Sequence, residues 1–276
     1  MRSLAKLDIR ILYVILVAVI LVPLANPIGL PLAIGEPARA GYDFINAMPA
    51  DSVGVFVIDV APSSEAENWP QALAVAKHAM KLGHKIMAIT FVAEGPMYED
   101  RLAQEIAPDY GYVYGTDIVI MPYRAGAESA VQAFGEDLRG MYDADYYDTP
   151  ITELPLMDRI QSIADVDYWA SFSSGDTGWY FVRQVEAKFG TPGLAGTVGP
   201  GVSGHMVYFA SGQLKGMLGG MAGAAEYEFL AKTPGKALAA MDAQSIGHSY
   251  FIILMIVSNI VYFAVRSSTA GKGAAR

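Results

Sequence analysis

The residues that could do chemistry are most concentrated in the run SSGDTG, residues 173–178, which follows a predicted strand and precedes a predicted helix. Small residues such as Ser174 and Gly175 let backbone N–H groups approach a ligand, and the start of a helix carries a partial positive charge suited to an anion. The same run also has a structural interpretation, in which Asp176 or Thr177 caps the helix and Gly175 makes the turn. Both interpretations stay open on the sequence.

Two further polar residues follow predicted apolar strands: Asp59 lies in the run 53–60, and Arg124 comes just after the run 117–122. In a parallel sheet the carboxyl ends of the strands meet at one edge, where ligands bind. A small-molecule pocket at this edge is therefore predicted to be lined by Asp59, Arg124, Ser173, Ser174, Gly175 and Asp176. A hydrolase or transferase would instead need two close carboxylates with one perturbed pKa, and Asp59 and Asp176 are candidates by position alone.

The glycine motif near residue 200 and the histidines do not form a recognisable cofactor or metal site. Gly199, Gly201 and Gly204 have the spacing of a dinucleotide fingerprint, but they follow the last predicted strand rather than the first. The four histidines share no metal-ligand spacing, and the lack of cysteine excludes disulfides, thiolate metal sites and iron–sulfur clusters. We therefore predict no catalytic residue, no metal site and no cofactor.

An acidic, tyrosine-rich segment follows residue 141. Its carboxylates could hold calcium, which prefers oxygen ligands, but no EF-hand spacing is present. Tyrosine is enriched at protein interfaces. Tyr146 and Tyr147 are therefore predicted to contact a partner protein or to cover the rim of the sheet.

Small residues also recur at intervals of four, at Gly212, Gly216, Gly220 and Ala224, within a predicted helix over roughly 206–230. This spacing would align them in one stripe. Glycine costs about 1 kcal/mol in a helix, so such a stripe favours close approach of another backbone. That backbone belongs either to the chain's own sheet or to a second subunit, which makes Gly212, Gly216 and Gly220 candidate interface residues.

Five apolar runs alternate with helical segments and predict strands at 53–60, 85–92, 117–122, 167–173 and 193–198. Continuous apolar strands, each followed by a helix, are typical of a parallel sheet covered on both faces. We predict an α/β fold: a doubly wound, mostly parallel sheet with helices on both faces, flanked by N- and C-terminal transmembrane helices. Residues 141–163 form an insertion between its halves.

Two uncharged apolar runs, residues 11–34 and 249–265, frame this region. A spanning helix needs about 20 apolar residues. We expect an N-terminal transmembrane anchor over residues 1–34, an extracytoplasmic α/β domain over 35–244, and a C-terminal transmembrane helix with a short cytoplasmic tail over 245–276. Ser258 and Asn259 are then polar groups at bilayer depth, suited to hydrogen-bonding a neighbouring helix.

Charge predicts the orientation. Three Lys or Arg precede the first apolar run and three follow the second, and the positive-inside rule then places both termini in the cytoplasm of a two-pass protein of the cell (inner) membrane. The alternative for the first run is a signal peptide cleaved near Arg39. Residues 35–244 contain 13 basic and 27 acidic residues, a net charge of −14. The expected partners are thus the lipid bilayer and other membrane subunits or further copies, and not nucleic acid.

Four segments carry a family resemblance: LDIRILYVILVAVILVPLANPIGLPL, DYYDTPITELPLM, SSGDTGW and GQLKGMLGGMAGAAEYE. With these, the chain up to about Leu230 resembles a family of uncharacterised prokaryotic membrane proteins in which a Rossmann-like α/β domain follows an N-terminal anchor. The resemblance implies this architecture and no reaction.

Three functions follow as expectations. The first is a membrane-anchored, non-enzymatic subunit whose domain scaffolds or binds partner proteins in a membrane complex or homo-oligomer. The alternative is a small-molecule receptor or transport-accessory domain with its pocket at the strand rim. The third is a hydrolase or transferase that uses rim carboxylates.

Overall fold

A six-stranded sheet is the centre of the computed structural model, which describes residues 8–273, with side chains up to residue 263. All neighbouring strands are parallel, in the order β3-β2-β1-β4-β5-β6. The strands are β1 Val53–Asp59, β2 Lys85–Ile89, β3 Ile118–Ile120, β4 Tyr168–Ser173, β5 Gly193–Thr197 and β6 Gly216–Gly219. The predicted α/β fold with a parallel sheet is confirmed, and the sheet has one strand more than the sequence indicated.

Eleven α-helices are assigned in the described residues. They are α1 Ile9–Ala25, α2 Glu36–Asn46, α3 Glu65–Leu82, α4 Gly95–Arg101, α5 Ala127–Glu136, α6 Pro155–Arg159, α7 Thr177–Phe181, α8 Ala187–Phe189, α9 Val202–Ala210, α10 Gly220–Leu230 and α11 Lys236–Gly273. Helix α4 continues through a π turn, Leu102–Ile106, and another π turn, Val182–Glu186, joins α7 to α8.

Strand β1 shows why the sheet is buried on both faces. Every residue of its sequence, VGVFVID, is buried. Alternate side chains of a strand point to opposite faces. Phe56 and Ile58 accordingly join one core with residues of α3 and α10, and Val55 and Val57 join a second core with residues of α5 and α7. The two cores cover the two faces of the sheet.

The predicted glycine stripe is wrong, because residues 206–230 do not form one helix. Gly212 lies in a turn with φ +79°, Gly216 begins β6, and Gly220 begins α10 with φ +60°. The close backbone approach does exist at one of the three: the Cα of Gly41, in α2, lies next to Gly216. That approach is internal to the α/β domain, where α2 packs on β6. An intersubunit role for these glycines stays a prediction.

The segment predicted as an insertion covers the free edge of the sheet. The backbone N–H of Tyr146 donates to the carbonyl of Ile120, in edge strand β3, at 2.9 Å. Asp145 holds the turn, because its carboxylate accepts from the backbone N–H groups of Tyr147 and Thr149 and from the hydroxyl of Tyr114. Covering an edge strand satisfies its backbone groups and prevents pairing with another chain.

The described chain divides into two compact units: the α/β domain, Leu32–Ala237, and a helical unit formed by residues 8–31 together with residues 238–273. Within the described residues one helix, Lys236–Phe263, is long and apolar enough to cross a membrane, whereas α1 has only 17 residues. One candidate span is therefore shown rather than the two predicted. Arg2, Lys6 and Arg276, which contributed to the predicted orientation, lie outside the described residues.

Within the helical unit, Asp242 joins the segment after α1 to α11. Its carboxylate accepts from the backbone N–H groups of Ile28, Gly29 and Leu30, at 2.7, 2.8 and 2.9 Å. The hydroxyl of Tyr250 donates to the carbonyl of Leu12 at 2.7 Å, which brings α1 against α11 further along. The two helices are therefore neighbours.

We predict that Gly216→Ala lowers the free energy of unfolding by about 3 kcal/mol, the upper range for an overpacked core. The reason is steric, because an added Cβ would lie 2.1 Å from the Cα of Gly41. Thermal melting in mild detergent measures the loss. The control is Gly175→Ala, whose Cβ would come no closer than 3.6 Å to its nearest neighbour, the Oγ of Ser173. Equal melting temperatures for the two variants would contradict the α2–β6 packing.

A pH dependence is expected from His78 in the first core. Burial lowers the pKa of His78 from 6.5 to about 4, and the ring stacks on Tyr42 with its Nδ1 3.0 Å from the hydroxyl of Tyr227. The folded state thus binds fewer protons than the unfolded state, so stability is lost as the pH falls from about 6.5 towards 4, by up to about 3 kcal/mol. His78→Gln should flatten this part of the melting-temperature profile, and an unchanged slope would refute it.

Candidate functional site

The strand order places a topological switch point between β1 and β4, because the chain builds the sheet outward in opposite directions from these two central strands. Ligands of doubly wound sheets bind in the crevice outside the carboxyl ends at such a point. The last residues of the two strands, Asp59 and Ser173, are direct partners in the β1–β4 register. The structure thus brings together two of the residues predicted to share a rim.

The Asp59 carboxylate is buried, and both of its oxygens accept hydrogen bonds. Its Oδ1 accepts from the hydroxyl of Thr90 at 3.0 Å and from the backbone N–H of Phe91 at 2.7 Å. Its Oδ2 accepts from the hydroxyl of Thr177 at 2.5 Å. Burial raises the pKa of Asp59, and these three hydrogen bonds oppose the rise because they favour the charged form.

Glu99 is a second buried carboxyl group at this edge, and the sequence interpretation missed it. It lies in α4, is fully buried, and neither of its side-chain oxygens has a hydrogen-bond partner. Burial raises the pKa of Glu99 well above its ordinary value, and the charge of Asp59 adds to the rise. Helical periodicity could have indicated it, since Leu102 and Ala103, three and four residues on, are buried on the same face.

Tyr142 and Arg124 complete the cluster. The Tyr142 ring is buried and its hydroxyl has no hydrogen-bond partner. Burial raises the pKa of Tyr142, the charges of Glu99 and Asp59 raise it further, and Arg124 opposes them. The guanidinium of Arg124 lies 5.1 Å from the ring centre and donates from Nε and Nη2 to the carbonyl of Met141. Two donors of Arg124 therefore hold the segment around Met141 in place, and a ligand role for Arg124 stays a prediction.

The predicted SSGDTG site is a turn with partly exposed backbone. The Oγ of Ser173 accepts from the N–H of Gly175 at 3.0 Å, and Ser174, Gly175 and Asp176 are exposed. The Asp176 side chain makes no capping hydrogen bond to α7, and the hydroxyl of Thr177 is bound to Asp59. Neither side chain is the expected helix cap, and a ligand role for Ser174 and Asp176 stays a prediction.

The glycine fingerprint has a structural explanation. Gly199 and Gly201 lie in a turn between β5 and α9, Gly204 lies within α9, and the N–H of Gly199 donates to the Oε2 of Glu67 at 2.8 Å. A carboxylate therefore occupies a donor that a phosphate would need.

The remaining candidate interface residues are mostly tied to their own surroundings. The hydroxyl of Tyr147 donates to the carboxylate of Asp100, although Tyr146 and Tyr147 both keep exposed ring surface. In α11 the side chains of Ser258 and Asn259 donate to the carbonyl of Met255, one turn back. Their contact with a partner helix stays untested.

Over the described residues there is no group of three or more His, Asp or Glu side chains placed to hold a metal ion. The charge of Asp59 raises the pKa of Glu99, so these two buried carboxyl groups interact, whereas the predicted pair of Asp59 and Asp176 stays a prediction. Comparison of the chain with protein-family models, with curated proteins and with solved structures gave no match.

We predict that Thr177→Val, which removes one hydroxyl at nearly constant shape, costs about 2 kcal/mol of stability because it leaves the Oδ2 of buried Asp59 without its donor. Thr116→Val is the matched control, since Thr116 is exposed. The measurement is the melting temperature of both variants at neutral pH, each compared with the wild type. A Thr177 variant as stable as the Thr116 variant would show that the carboxylate does not depend on this bond.

Proposed function

We propose that this chain is a membrane-anchored, non-enzymatic subunit whose α/β domain binds a partner protein in a membrane complex, with helix α9 as the contact surface. The observation that supports the proposal is the uncovered apolar surface of α9. Its sequence, VSGHMVYFA, contains no Asp, Glu, Lys or Arg, and His205 is its one buried residue.

The exposed apolar side chains of α9 lie next to one another in sequence. Val207 is 67% exposed and Met206 is 37% exposed. A surface helix of a soluble domain normally turns its apolar stripe to the core and its polar face to solvent. Apolar surface left uncovered on such a helix is typical of an interaction site.

Helix α9 is held firmly enough to present this surface. The ring of His205 lies 5.3 Å from that of Trp179, and its Nδ1 is 3.0 Å from the carbonyl of Gly201. Tyr208 and Phe209 pack against the second core. Pre-organised side chains lose little entropy on binding, which favours affinity.

The charge of this chain favours a different protein, rather than a membrane surface or a second copy, as the partner bound at α9. Membrane-surface helices are rich in Lys and Arg, and α9 has neither. A second copy would bring together two domains that each carry −14 over residues 35–244, from 13 basic and 27 acidic residues. The partner we propose therefore has an apolar patch bordered by basic residues.

The membrane anchor in this proposal is α11, and α1 forms a second pass beside it. The second pass is supported by the hydrogen bond between Tyr250, in α11, and Leu12, in α1. If α11 crosses the membrane, an apolar helix that packs beside it lies in the same bilayer. The basic flanks of the chain support a cell (inner) membrane location with both termini in the cytoplasm and the α/β domain outside it.

A second candidate function is a receptor or transport-accessory role, favoured by the exposed Ser174, Gly175 and Asp176 beside the switch point. Native mass spectrometry of the detergent-solubilised chain distinguishes the two. A bound small molecule that Asp176→Ala releases supports this second candidate.

Photo-crosslinking from α9 tests the partner proposal. A photoreactive amino acid at Val207 in native membranes should give one discrete adduct, whose crosslinked peptide is apolar and flanked by Lys or Arg. Val113 is the matched control position, because this valine is exposed to a similar extent, at 59%, but lies on another segment. With the probe at Met206, Val207→Glu should reduce the adduct yield about tenfold, which corresponds to about 1.4 kcal/mol.

Three outcomes count against the proposal. An adduct of twice the chain's mass would identify a second copy as the occupant. Adducts with lipid alone would identify the bilayer. Equal labelling from Val207 and Val113 would show that α9 has no specific partner.

A further inference from the structure

Glu99 is buried in a way that its own chain does not compensate. It is fully inaccessible to solvent and neither carboxyl oxygen meets a donor in the described residues. Burying a polar group without a hydrogen bond is costly, and burying a charge without a partner costs far more. Buried polar groups without partners in native proteins call for an explanation, such as an ion or water.

An independent observation points to the same place. The Tyr142 hydroxyl is also buried and without a partner, although it belongs to a different segment of the chain. Glu99 lies one turn after Gly95 in α4, and a Cβ on Gly95 would come 2.0 Å from the hydroxyl of Thr90, which donates to Asp59. The Tyr142 ring lies under the guanidinium of Arg124, whose backbone N–H donates to the carbonyl of Thr90. Unpartnered oxygens from α4, which packs on β1, and from the loop after α5 are therefore both buried in the neighbourhood of the carboxylate at the end of β1.

Within the described residues no donor reaches the Glu99 carboxyl group or the Tyr142 hydroxyl. Thr90, after β2, and Thr177, in α7, already donate to Asp59. Arg124 is the one basic group that influences Tyr142, and its hydrogen bonds go to the carbonyl of Met141. No ion pair to Asp59 or Glu99 is found among the described residues. Protonation of Glu99 would remove its charge but would leave a buried O–H without an acceptor.

We propose that Glu99, together with Asp59 and the hydroxyl of Tyr142, binds a hard divalent cation, Mg²⁺ or Ca²⁺. Both cations prefer oxygen ligands, and a divalent charge balances two carboxylates. Mg²⁺ is usually bound through one or two carboxylates and keeps several waters, and Ca²⁺ also accepts carbonyl oxygens. The bound cation links α4 to the carboxyl end of β1.

The test uses the full chain in mild detergent, stripped with EDTA, and melted with MgCl₂, with CaCl₂ and with NaCl of matched ionic strength. At a free cation concentration of about 100 times Kd, the melting temperature should rise by about 5–10 °C for a domain of this size. Glu99→Gln should abolish the rise, because it replaces a carboxylate oxygen with an amide. Glu94→Gln, at an exposed glutamate one residue before α4, should keep it.

The stripped variant supplies the folding control. Without cation, Glu99→Gln should melt at or above the temperature of the stripped wild type, which shows that the variant folds. A rise with one chloride and not the other identifies the cation. No rise with either salt, or a rise that survives in Glu99→Gln, overturns the proposal.

Discussion

Burial of charge at the end of a central strand is the constraint on which the carboxyl edge of this sheet depends. Asp59 ends a strand whose residues are all buried, so its carboxylate cannot reach water and must find donors within the chain. The donors come from Thr90 and Phe91 after β2 and from Thr177 at the start of α7. One side chain thereby fixes the loops on both sides of the switch point. Glu99 is also buried but has no hydrogen-bond donor among the described residues, so the proposed cation site is centred on it.

The parts of the fold that could be predicted are those in which hydrophobic pattern and structure coincide. Strands β1, β2 and β4 are continuous apolar runs, and their order along the chain already indicated a parallel sheet. Strand β6 was missed because its sequence, GMLG, is short and glycine-rich, and the regular glycine spacing around it imitates a helical stripe. Sequence spacing could not show that Gly216 is small because α2 crosses β6 at that residue.

The candidate site was predicted in part. Position at the ends of strands correctly brought Asp59 and Ser173 together. Arg124 was predicted to bind a ligand, and this stays a prediction; two of its donors bind the carbonyl of Met141, a contact between distant residues that local sequence does not encode. Glu99 was passed over because it belongs to no motif. Its importance arises from the packing of α4, which turns one acidic residue inward on the face that also carries buried Leu102 and Ala103.

The partner-binding surface on α9 and the cation site near Glu99 are separate proposals. The cation site makes the more specific claim about the structure of this domain. Diffraction from crystals soaked in Mn²⁺, which takes oxygen ligands as Mg²⁺ does, tests it most directly through the anomalous signal. We predict one anomalous peak with carboxylate oxygens of Glu99 and Asp59 at about 2.0–2.6 Å. A map without that peak, in which Glu99 contacts only water or the hydroxyl of Tyr142, would contradict the cation site.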